Sequence, residues 1–203
     1  MSTARAAEAE ADPAGGPGGG GGGGAPPEAE AAPQRSKHSA PLLTGALLHQ
    51  RWRVGKALGR GGFGTTYRGL HVETRVPVAI KVEHPAASRK HPKQSPLMHE
   101  INMYTALHPC PQLPCIEWKG VVRAGARGRL HVVVMQLLGG SLESLRARSP
   151  GGRLPAEQVR SMACQLLPLL RRMHTKGIVH RDIKPDNLMM GREENGHKVY
   201  MID

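Results

Sequence analysis

The residues best suited to chemistry fall in four places along the chain. His180-Arg181-Asp182-Ile183-Lys184-Pro185-Asp186-Asn187 sets a cation two residues and an amide five residues after a carboxylate. Asp182 is able to take a proton from a hydroxyl, Asn187 to offer a metal its amide oxygen, and Lys184 to steady an anionic group in transfer. Gly59-Arg60-Gly61-Gly62-Phe63-Gly64 is a G-x-G-x-x-G run. Glycine lets backbone N–H groups approach a phosphate closely. Taken alone, the run also suits a dinucleotide fold or a plain glycine turn. Lys81 ends the apolar stretch Val78-Ala79-Ile80, and Glu100 lies farther on. A Lys81–Glu100 pair would hold an ammonium against phosphates, although Glu100 also fits a solvated helix position. Asp203 follows Val199-Tyr200-Met201-Ile202. It suits a second magnesium ligand, or else a structural carboxylate.

These side chains need elements to position them. Residues 52–58 alternate large and polar types, residues 59–64 make a glycine-rich turn, and residues 65–70 resume with β-branched and aromatic types. The pattern predicts a hairpin around the glycine run. Residues 76–82 predict a third strand bearing Lys81, and the Pro-, Lys- and His-rich residues 85–96 a loop. Leu97, Ile101, Tyr104 and Leu107 recur at helical spacing, which predicts a helix over 97–107 with Glu100 as its only acidic residue. Two further strands are expected at 116–124 and 130–138. The sum is an α+β lobe, a five-stranded antiparallel sheet with one helix, over residues 51–138. Residues 139–203 read as mainly helical. Pro155 suits a helix start, Val159, Met162, Leu166, Leu169, Leu170 and Met173 mark the apolar face, and Gly177 suits the stop. Pro168 falls inside this helix and predicts a bend. Residues 198–202 predict a short strand.

Composition bounds the rest. The first 50 residues are rich in Ala, Gly and Pro, with a glycine run from Gly18 to Gly24, and read as a flexible tail without a core. The tail has no apolar stretch suited to a secretory signal, and its acidic residues argue against a transit peptide. No stretch approaches the length of a membrane span, so no membrane partner is expected. Residues 1–50 hold three basic and five acidic residues, which leaves 25 and 11, a net +14, for 51–203. That excess suits acidic or phosphorylated partners, nucleic acid or anionic lipid. Aromatic residues are scarce and Phe63 is the only Phe, so a base-stacking surface for nucleic acid is not expected. Three cysteines at unpaired spacings imply neither a disulfide frame nor a zinc site, and reduced, cytoplasmic or nuclear surroundings fit best.

The order of these motifs decides between their alternatives. The glycine run joins strand to strand, not strand to helix, and Val78-Ala79-Ile80-Lys81 and His180 to Asn187 follow it. That order resembles the protein kinase signature set. Leu137-Leu138-Gly139-Gly140-Ser141-Leu142-Glu143, Leu188-Met189-Met190-Gly191 and the run from Val199 to Asp203 resemble the casein kinase I family. The resemblance covers residues 52–203, about the first half of a kinase domain. It implies a kinase-like fold, with a complete N-lobe at 51–138 and the start of a helical C-lobe at 139–203.

It further implies ATP and Mg2+ as cofactors and protein Ser/Thr hydroxyls as acceptors, Lys184 favouring Ser/Thr over Tyr. Gly59, Arg60, Gly61, Gly62, Phe63 and Gly64 would cover the phosphates, and Lys81 with Glu100 would align them. Leu58, Ala79 and Leu138 would sandwich the adenine above Thr66, with Met135 as gatekeeper and Gln136 to Leu138 as hinge. Asp182 would serve as base, and Asn187 and Asp203 would hold the metal. Thr66 and Gln136 depart from the family, which has Val or Ile and an acidic residue there. Substrates would be acidic or already phosphorylated proteins. Because the chain stops at Asp203, before an activation segment, the alternative is an inactive fragment that binds nucleotide or a protein partner.

Overall fold

Val78, Ile80 and Val82 point to one side of their strand and Ala79 to the other, and all four are buried. Burial on both faces belongs to the centre of a sheet. The computed structural model describes residues 43–62, 64–84, 95–123 and 128–203. In it β1 (Leu47–Leu48), β2 (Trp52–Arg60), β3 (Gly64–His71), β4 (Pro77–Glu83), β5 (Ile116–Arg123) and β6 (Arg129–Gln136) form one antiparallel sheet. The order is β1-β2-β3-β4-β6-β5, so β4 is flanked by β3 and β6. One face packs Trp52, Val54, Tyr67, Val78, Ile80 and Val132 together. On the other, Ala79, Val133 and Met135 meet Leu97 and Ile101 of α1 (Pro96–Leu107).

Six strands replace the five expected, and the folded region starts earlier than residue 51. Leu47–Leu48 pairs with β2, Leu48 is buried, and Leu43 and Ala46 pack on the same core. The Gly45 N–H donates to Val54 O and the Val54 N–H to Ala46 O, both at 2.8 Å. Residues 43–50 therefore belong to the fold and not to the tail. The remainder of the tail, Phe63 and most of the 85–96 loop lie outside the described residues.

Strand β2 runs through Gly59 and Arg60, and β3 begins at Gly64, so half of the glycine run is paired strand. A Cβ on Gly64 would stand 2.6 Å from Val82 O, so only glycine allows β3 to lie this close to β4 there. Strand β6 ends at Gln136, two residues short of the expected 138. Beyond it the Gly139 N–H donates to Met190 O at 2.8 Å, and the chain turns onto β7 (Leu188–Met190). Strands β7 and β8 (Val199–Met201) form a separate two-stranded sheet.

Among the described residues there are two further α-helices, α2 (Leu142–Arg148) and α3 (Ala156–Thr175). Helix α2 was not expected. Helix α3 buries Met162, Leu166, Leu169 and Met173 against Leu107, Leu188, Val199 and Met201. It continues through Pro168, which lies on the exposed side. The carbonyl that loses its helical donor there belongs to exposed Cys164 and is open to water. Among the described residues no helix is long and apolar enough to cross a membrane.

Candidate active site

Lys81 reaches the site from the centre of the sheet. Pairing of β3, β4 and β6 sets Thr66 beside Lys81 and Ala79 beside Met135. From β4 the Lys81 Nζ donates to Glu100 Oε2 at 2.8 Å, and both side chains are largely buried. Lys81 also pairs with the Asp203 carboxylate. Burial pulls the Lys81 ammonium down, but Glu100 and Asp203 outweigh it and hold it above its ordinary value. Burial pushes the Glu100 carboxyl up, and the negative charge of Asp203 adds to this against the pull of Lys81. One ammonium is thus shared between two carboxylates, and it stays charged.

The anchoring of α1 explains why Glu100 stands where it does. Ser95 caps the helix, its Oγ accepting the Met98 N–H at 3.1 Å. The same hydroxyl donates to Glu83 Oε1 at 2.8 Å, and the Leu97 N–H reaches that oxygen at 3.4 Å. Glu83 is fully buried at the end of β4, two residues after Lys81. One strand therefore carries Lys81 and also holds the start of the helix that brings Glu100 to it.

Asp182, Lys184 and Asn187 form a second cluster. Lys184 Nζ donates to Asp182 Oδ2 at 2.7 Å, and Asn187 Nδ2 donates to Asp182 O and Oδ2, both at 2.9 Å. The hydrogen bond from Lys184, then that from Asn187, hold the Asp182 carboxyl below its ordinary value. With its amide nitrogen committed to Asp182, Asn187 has its amide oxygen left to meet a cation. Arg181 beside them has φ +67, a left-handed backbone that costs an ordinary residue about 1 kcal/mol or more.

The β7–β8 sheet links the two clusters. Leu188 pairs with Met201, and the Ile202 N–H donates to Asn187 O at 2.9 Å, so Asn187 and Asp203 sit at matching ends of one short ladder. A cavity of about 750 Å3 is lined by Gly61, Gly62, Gly64, Thr66, Lys81 and Glu100 on one side and by Asp182, Lys184, Asn187 and Asp203 on the other. An amide oxygen and a carboxylate are the hard donors that Mg2+ takes together with phosphate oxygens and water, so these residues fit that ion. A family model for the protein kinase domain matches residues 52–203.

The chain belongs to the protein kinase family. Its kinase domain implies phosphoryl transfer to protein substrates, and protein kinase domains in general use ATP and Mg2+. Not every expected site residue reaches the cavity. Leu58, Gly59, Arg60, Ala79, Met135, Gln136 and Leu138 do not line it. Leu58 is half-exposed on β2, while Ala79 and Met135 are buried side by side beneath α1. Gln136 is committed elsewhere. Its N–H donates to Cys115 O at 2.8 Å, its Oε1 takes the Cys115 N–H at 3.4 Å, and its Nε2 donates to Tyr200 Oη at 3.3 Å. Phe63 lies outside the described residues.

Two groups beside the site escaped the reading of motifs. His84 Nε2 lies 2.9 Å from the Thr65 hydroxyl, at the base of the glycine turn. Burial and the nearby Arg60 charge hold His84 below its ordinary value. Tyr104, read only as an apolar helix position, places its hydroxyl against Asp203. For both, the partner lies far away in sequence, so neither spacing nor motif could indicate it.

Proposed function

We propose that this domain transfers the terminal phosphoryl group of ATP to Ser/Thr hydroxyls of proteins, in the manner of the casein kinase I family. The observation that carries the reading is the cavity that Lys81, Glu100, Asp182, Lys184, Asn187 and Asp203 line together. Asp182 is ionised, exposed and hydrogen-bonded to an ammonium, as suits a group that takes the hydroxyl proton while Lys184 steadies the phosphoryl group. Lys81 would hold the nucleotide phosphates, beneath the N–H groups of the glycine turn. Asn187 and Asp203 would hold Mg2+, which supplies charge neutralisation between the phosphates when bound. Lys184 two residues after Asp182 supports Ser/Thr acceptors, and the net +14 of residues 51–203 supports acidic or phosphorylated substrates.

Phosphorylation of casein by the purified chain tests the reading, with Asp182→Asn as control. The substitution should lower the rate by about 10²–10⁴-fold, the weight of a positioned general base. Equal incorporation by both proteins would rule out the assignment of Asp182. A second reading, binding of nucleotide or a protein partner without transfer, is favoured by half-exposed Val159, Leu167, Val179 and Ile183 on α3 and the catalytic loop. A thermal shift with ATP but no phosphorylation would select it.

A further inference from the structure

Tyr104 lies one turn beyond Glu100 on α1, so the two side chains leave the same face of the helix. Its hydroxyl accepts the Asp203 N–H at 3.0 Å. A phenol oxygen carries lone pairs, so it can accept this N–H. The ring is packed against the cluster of Ala79, Leu97, Ile101, Val133 and Met135, which fixes the direction of the hydroxyl. A Leu or Phe would fill the same space without this bond.

We propose that Tyr104 is a positioning residue, whose hydroxyl ties the Asp203 backbone to α1 so that Glu100 and Asp203 are presented to Lys81 as one unit. The proposal rests on reading Lys81, Glu100 and Asp203 as the nucleotide and metal site. Nothing else on α1 joins the Asp203 main chain among the described hydrogen bonds. If the tie is broken, Glu100 stays anchored through Ser95 and Glu83, but the Asp203 carboxylate loses its register with it. The cost then falls on the metal and spares the fold.

The test compares the full chain with Tyr104→Phe, which keeps the ring and removes only the hydroxyl. Amide exchange at Asp203, followed by NMR without nucleotide, should quicken about fivefold, the weight of one hydrogen bond, while exchange in β4 and β6 is unchanged. The Mg2+ concentration needed for binding of a non-hydrolysable ATP analogue should rise by a similar factor, with metal-free binding unaltered. Unchanged exchange at Asp203 overturns the proposal whatever the nucleotide does. Tyr104→Met, which removes the ring as well, separates the hydroxyl from its packing. If Phe is silent and Met alone disturbs Asp203, the ring is what matters and the proposal fails. If the wild-type chain binds no Mg2+-nucleotide, the reading of the site fails, and exchange at Asp203 still decides whether the tie exists.

Discussion

The Asp182 carboxylate takes one hydrogen bond from Lys184 and another from Asn187, and both favour its ionised form. A lowered value means that the carboxylate persists further as pH falls. Lys184→Met removes the largest cause of the lowering and leaves the Asn187 bond. In the titration of the Asp182 carboxyl followed by NMR, the midpoint should therefore move upward in Lys184→Met, towards the ordinary carboxylate value. An unmoved midpoint would show that Lys184 does not set the charge of Asp182. Asp182, Lys184 and Asn187 were legible in the sequence because their cluster closes within six residues. Lys81 and Glu100 were legible because one strand and one helix, each with a clear period, carry them. Tyr104 and Glu83 were not, since a helical Tyr and a strand-end Glu look alike whether they face solvent or a partner many residues away.

Among the elements, α1 shows how a start signal is shared with a neighbour. Its apolar period was plain from Leu97 to Leu107, yet its N-terminus is satisfied from two sources, the Ser95 hydroxyl and the Glu83 carboxylate. Ser95→Ala should cost about 1 kcal/mol, the usual value of an N-cap. It should also loosen the anchor that places Glu100. Urea unfolding measures the first effect, and a change under about 0.3 kcal/mol would show that Glu83 alone suffices as cap. Strand β1 escaped sequence reading for a different reason, because two residues carry no period and its burial depends on β2 folding beside it. Helix α2 carried local signals: Ser141 caps it through the Ser144 N–H at 3.2 Å, and Glu143 in its first turn pairs with Arg146. With only seven residues, it offers too short an apolar stripe to be distinguished from a turn.

At the scale of the molecule, the curl of the sheet is what sequence patterns do not convey. Strands β2 and β5 are far apart in the strand order, yet Trp52 on β2 and Trp118 on β5 bring their rings to 6.0 Å, with His49 at 4.5 Å from Trp118. The sheet therefore curls until these side chains meet over the core of Tyr67, Ile80 and Val132, whose residues do not line the cavity. Alternation predicts which residues are buried but not which strands a twisted sheet brings together. Trp52 is 4% exposed, and its indole N–H finds no partner among the described residues. Two effects then oppose each other in substitutions. Trp52→Ala empties a large space at the seam and should cost about 3–5 kcal/mol in urea unfolding. Trp52→Phe keeps most of the ring and removes the orphaned donor, whose burial itself costs free energy, so its loss should be about 1 kcal/mol. Because the seam lies away from Lys81 and Asp182, affinity for Mg2+-nucleotide in the folded Phe variant should match wild type. A Phe variant as damaged as the Ala variant would mean that the indole N–H is satisfied after all and that the seam depends on it.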